Sequence, residues 1–144
     1  MATQAYGVNT TGSLVPATAG VPFLTGTSVN GMSAGNKVVY KDSLGSIEVF
    51  DGTEAHAHAI VGISDGTLVA PGGIVTYCPV NGFVSLNPFF AVGDTELYAK
   101  NNGDLGLFSS LMTGDFTRRV GTISKNVGTV LYVDFDTVMQ VPSP

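Results

Sequence analysis

Apolar residues alternate with other residues in short runs along most of this chain, and glycine, proline and asparagine cut the runs apart. A period of two marks strands with one buried face. Strands are therefore expected at Lys37 to Tyr40, Ser46 to Phe50, Ala55 to Ser64, Ile74 to Cys78, Phe83 to Leu86, Thr95 to Ala99, Leu105 to Phe108, Thr117 to Ser124 and Thr129 to Asp134. Helical periodicity is nearly absent; only Asn87 to Gly93 or Ser109 to Thr113 has room for a helical turn.

A longer period lies above the alternation. The unit Gly-x4-Tyr-x4-Gly followed by two alternate aliphatic residues occurs from Gly35 to Val49, from Gly72 to Leu86 and from Gly93 to Leu107. Each copy has the form of a β-hairpin whose turn is Ser-Leu-Gly, Val-Asn-Gly or Asn-Asn-Gly. A second repeated word, Val61-Gly62-Ile63-Ser64 and Val120-Gly121-Thr122-Ile123-Ser124, puts glycine inside a strand, where bends and bulges form. These features predict an all-β fold, a small β-barrel built from repeated hairpins, with a jelly-roll-like β-sandwich as the alternative.

The first charged residue is Lys37. Residues 1–36 are expected to form an extended, uncharged N-terminal arm, and residues 37–144 the barrel domain. Leu14, Val15, Val21, Phe23 and Leu24 give the arm apolar clusters that suit lying on a partner surface better than solvation, which favours charged segments. Charged residues make up only 12% of the chain and the net charge is -5, with Arg118-Arg119 the one basic pair, so a nucleic-acid face is not expected. The single Cys78 cannot form an intrachain disulfide, and no run approaches a membrane span or a basic, apolar leader, so folding in a reducing cytosol is expected.

Candidate chemistry is sparse. Glu54, His56 and His58 would share one face of an ideal strand and offer metal ligands, but no second cluster completes a site. Asp134 and Asp136 would also share a strand face; neighbours on one strand cannot straddle a substrate as a glycosidase pair does. Cys78 occupies a repeat position held by Lys41 and Ala99 in the other copies, and Pro71-Gly72-Gly73 lacks the Lys-Ser/Thr of a phosphate loop. Tyr40, Tyr77 and Tyr98 recur at one repeat position and suit rim residues with a buried ring and a wet hydroxyl. No cofactor, metal or catalytic set is expected.

The words Gly-x4-Tyr-x4-Gly, Ala59-Ile60-Val61-Gly62-Ile63-Ser64, Ala91-Val92-Gly93-Asp94 and Val120-Gly121-Thr122-Ile123-Ser124 resemble those of small β-barrel decoration (cement) proteins of tailed-bacteriophage capsids. The resemblance spans Lys37 to Asp136, and similar hairpin-rich modules occur in phage fibre proteins. It implies a homo-oligomer, a trimer with a dimer as alternative, made in the host cytoplasm. On the virion exterior it would bridge neighbouring major capsid protein subunits and stabilise the shell. A fibre or receptor-binding module is the second function that the resemblance allows. These families have no fixed catalytic motif to carry over.

Overall fold

The structure, a computed structural model, describes residues 6–8, 14–16, 21–86, 95–124 and 127–142. Strands β1 (Tyr6–Val8) and β2 (Leu14–Pro16) pair with each other. Next come β3 (Leu24–Thr27), β4 (Val38–Lys41), β5 (Ile47–Val49), helix α1 (Glu54–His58), β6 (Ile60–Ser64) and β7 (Ile74–Cys78). The five strands from β3 to β7 form one sheet in the order β3-β7-β6-β4-β5. The rest of the chain supplies β8 (Phe83–Ser85), β9 (Thr95–Ala99), β10 (Leu105–Gly106), β11 (Phe116–Thr117), β12 (Arg119–Ser124), β13 (Val127–Val133) and β14 (Met139–Gln140). Its main sheet runs β10-β9-β12-β13-β8, and β11 pairs with β14. Every pairing among the described residues is antiparallel, and with one short α-helix and one 3-10 turn beside fourteen strands the fold is all-β as expected. Each five-stranded ladder has two edges and closes no barrel; the larger core lies between two packed sheets.

The two sheets are copies of one design. Their orders superimpose strand for strand, with β3, β4, β5, β6 and β7 matching β8, β9, β10, β12 and β13. Register agrees as well. Tyr40 opposes Ile60 and Tyr98 opposes Arg119; after one extra residue, Val39 opposes Gly62 and Leu97 opposes Gly121. The same bulge therefore bends the same strand in both copies, at Val61 and at Val120. The hairpin turns also agree: Gly45 N–H donates to Asp42 O at 3.0 Å and Gly103 N–H to Lys100 O at 3.0 Å. Both glycines have positive φ, 87° and 85°, a conformation other residues rarely adopt.

This duplication corrects the triple hairpin. The first and third Gly-x4-Tyr-x4-Gly units are β4–β5 and β9–β10, but the middle one is no hairpin. There β7 and β8 belong to different sheets, and the turn at Asn81-Gly82 carries the chain from one to the other. The strand expected from Ala55 to Ser64 begins as α1 instead. Ala55, Ala57 and Ala59 have no β-branch to favour a strand, Glu54 suits a helix N-terminus, and Ala57 packs fully into the core. The strand expected from Thr117 to Ser124 is broken at Arg118, whose guanidinium turns aside to the carbonyls of Asp136 and Ala57. The turn near Ser109 is a single 3-10 turn at Phe108–Ser110, and the alternative at Asn87 to Gly93 lies outside the described residues. Residues 24–36, expected in the arm, contribute β3 and the bridge between Met32 and Val69, so they belong to the first sheet.

The copies pack front to back. Val38, Tyr40, Ile60, Ile63 and Cys78 on one face of the first sheet enter the main core. In the second sheet the register equivalents of these residues are Glu96, Tyr98, Arg119, Thr122 and Tyr132, all outside that core. The opposite face of the second sheet supplies Leu97, Val120, Ile123 and Leu131 to it. Where the first sheet turns this opposite face away, Val39, Ile47, Val75 and Tyr77 form a separate small core with Met32 and Val69.

Gly62 and Gly121 sit under the bulges, and a Cβ on either would collide with a main-chain oxygen of the next strand, of Cys78 and of Tyr132 respectively. Backbone cannot rotate out of the way as a side chain can. Gly62→Ala and Gly121→Ala are each expected to cost about 1–3 kcal/mol. Urea unfolding measures this, and near-wild-type midpoints would contradict the close approach.

Candidate functional site

The residues singled out in the arm lie along its course and at its root. Leu14 and Val15 are in β2, Val21 is half-buried, and Phe23 and Leu24 are 38% and 47% exposed. From Leu24 the chain enters β3, an edge strand paired only with β7 among the described residues. The other edge of the same sheet, β5, curls round to meet it. Gly26 packs against Ile47 so closely that a Cβ would overlap it, and Ser46 Oγ lies 3.1 Å from Thr27 O.

Glu48 closes this seam. It is 5% exposed and accepts hydrogen bonds from Ser28 Oγ at 2.9 Å, Val29 N–H at 2.8 Å and Asn30 N–H at 3.3 Å, and from Ser46 Oγ. Ser28 Oγ in turn accepts Gly31 N–H at 2.9 Å. Burial works to raise the carboxyl's pKa, but the donors, Ser46 and Val29 foremost, outweigh it and hold it below its ordinary value. A carboxylate with this many donors is well compensated for leaving water. Sequence reasoning passed over Glu48, Ser28 and Ser46; on a strand reading Ser46-Ile47-Glu48-Val49-Phe50, Glu48 looks like an ordinary outward polar position.

Glu54, His56 and His58 lie on α1 rather than on a strand, so residues two apart no longer share a face. His56 Nδ1 instead meets Asp51 Oδ1 and Oδ2 at 2.9 and 3.0 Å, and its ring stacks on Tyr40 at 3.9 Å between centroids. Desolvation opposes the Asp51 charge, yet hydrogen bonds from His56 and Thr53 lower its pKa overall. Tyr40 shifts upward, chiefly through burial and then through the charges of Asp51, Glu48 and Asp42. The cluster anchors α1 to β4. Among the described residues no three His, Cys, Asp or Glu converge to hold a metal.

Asp134 and Asp136 follow β13 rather than sharing a strand face, and Arg119 stands between them. Its guanidinium is 3.2 Å from Asp134 Oδ2 and 3.8 Å from Asp136 Oδ2, with Glu96 Oε2 at 3.7 Å. One guanidinium shared among three carboxylates makes a structural ion network on the outer face of the second sheet. Two aromatic pairs flank it, Tyr98 with Phe108 and Phe83 with Tyr132, both 5.2 Å between centroids. Tyr40 and Tyr77 are buried and Tyr98 is half-buried, so the recurrent tyrosines form no exposed ladder. A cleft lined by Lys100, Asn101, Ser110, Met112 and Asp115 includes no histidine. No helix among the described residues is long and apolar enough to cross a membrane. No protein-family model matches the chain, and no curated protein matches it in sequence.

Cys78 is fully buried, and burial pushes its thiol up to about 12. The thiolate is the reactive form, so Cys78 is expected to resist a thiol reagent at pH 8 in the native protein and to react on unfolding. Fast stoichiometric labelling of the native chain would contradict this burial.

Proposed function

We propose that this chain is a non-catalytic structural protein that decorates and stabilises a tailed-bacteriophage capsid. The observation that carries this reading is the root of the N-terminal segment. An uncharged stretch with apolar clusters runs into an edge strand, and Phe23 and Leu24 stay half-exposed where it joins the body. A segment of that kind is suited to lie on a partner, while the duplicated β-body supplies a rigid knob behind it. The proposed partners are major capsid protein subunits, bridged on the virion exterior, and further copies of this chain, as a trimer. Leu14, Val15, Val21, Phe23 and Leu24 are the proposed contact residues. The mechanism is mass action: a ligand that binds only the assembled shell stabilises it by RT ln(1 + [L]/Kd), about 2.7 kcal/mol per site at a hundredfold excess over Kd.

The test is deletion of residues 1–20, which spares β3 and the first sheet. The truncated chain is expected to fold with an unchanged thermal midpoint and to lose binding to expanded capsids in a co-sedimentation assay. Undiminished capsid binding by the truncated chain would overturn the assignment of the arm. Failure of the full chain to bind any expanded capsid shell would overturn the function.

A further inference from the structure

The seam between β3 and β5 differs from every other strand contact in the molecule's first sheet. β3 is laddered to β7, β7 to β6, β6 to β4 and β4 to β5, but β3 and β5 are joined by side chains. Behind the seam lies the small core of Met32, Val39, Ile47, Val69, Val75 and Tyr77. Among the described residues the second sheet has no counterpart of the Glu48 carboxylate, because Gly106, which opposes Tyr98 as Glu48 opposes Tyr40, carries no side chain. One carboxylate thus bonds four groups, three of them on the Ser28 to Asn30 segment that directly follows β3.

We propose that Glu48 is a proton-controlled latch: ionised, it holds residues 28–31 and the end of β3 against β5, and protonated, it lets this seam open and bare the small core. Protonation turns an acceptor of four donors into a group that must itself donate from one oxygen, and two backbone N–H groups lose their charged partner. No charged side chain contributes to the carboxyl's depressed pKa, which its hydrogen-bond donors bring about. Its titratable neighbours are Tyr40, opposite it on β4, and Asp42, whose Oδ1 accepts Ser46 N–H at 2.8 Å. Since the folded pKa lies below the unfolded one, the latch is fully engaged at neutral pH and releases as pH falls through the folded value. This is a property of the isolated chain and does not depend on the partner proposed for its arm.

Hydrogen exchange of the isolated protein, corrected for the intrinsic pH dependence, tests the latch. The amides of Val29, Asn30 and Gly31 are expected to be protected at neutral pH and to exchange about tenfold faster or more at pH 3, while ladder amides of β9 and β12 stay protected. Glu48→Gln is expected to show the fast exchange already at pH 7, with little further change in acid. Ser28→Ala removes one donor while keeping the carboxylate, and is expected to move the opening to higher pH. Protection at Val29 and Asn30 that persists at pH 3 in the wild type would overturn the latch. So would wild-type protection in Glu48→Gln at pH 7, and if that variant does not fold, an unshifted opening in Ser28→Ala.

Discussion

Packing two copies of one sheet front to back is the constraint on which the rest of this molecule depends. Burying Val38, Ile60 and Ile63 against Leu97, Val120 and Leu131 uses one face of the first copy and the opposite face of the second. Each such side chain contributes about 1.5–3 kcal/mol when fully buried, so this layer dominates stability. It also leaves two outer faces, and they are different faces of the shared design. The sequence divergence between the copies follows from that asymmetry. At register-equivalent positions Val38, Ile60 and Ile63 are replaced by Glu96, Arg119 and Thr122, because the second copy turns to solvent the face that the first copy buries.

The other outer face faces the opposite problem, since Val39, Ile47, Val75 and Tyr77 on it remain apolar. Here the chain covers the face instead of changing it. The first sheet curls until Gly26 reaches Ile47, and Met32 and Val69 bridge across one end. Curling brings two edges together without room for a regular ladder at their junction, and Glu48 with Ser28 and Ser46 supplies the missing hydrogen bonds. A buried carboxylate is costly when unpaired. Its low pKa shows that the donors more than offset that cost in the folded chain.

Much of this was legible in the sequence, and the misses have physical reasons. Strand positions followed from alternation, and the words around Gly62 and Gly121 marked bulges because only glycine lets the neighbouring backbone approach so closely. The Gly-x4-Tyr-x4-Gly unit has the form of a hairpin in all three copies, although only two of them are hairpins. A turn such as Asn81-Gly82 reports a change of direction, and whether the next strand returns beside the last or joins another sheet is decided by non-local packing. Alternation misled at Glu54 to His58, where alanine fills the non-polar positions and fits a helix as well as a strand. The Glu48 seam was invisible because three of its four donors lie some twenty residues upstream, brought near only by curvature.

Front-to-back packing is a heterologous contact, and such contacts continue indefinitely unless something ends them. Both ends of this two-sheet stack are stopped: one by the Arg119 network with Glu96, Asp134 and Asp136, the other by the curled sheet and its latch. Association through sheet faces is therefore disfavoured in either direction. The edges are not defended equally. Natural edge strands are usually blunted by charge, proline or a bulge, yet β3 reads Leu24-Thr25-Gly26-Thr27 with none of these, and the chain carries no charge before Lys37. That edge is instead covered by β5, where Gly26 packs against Ile47 and the hydrogen bonds to Glu48 close the seam, so curvature protects it where charge does not.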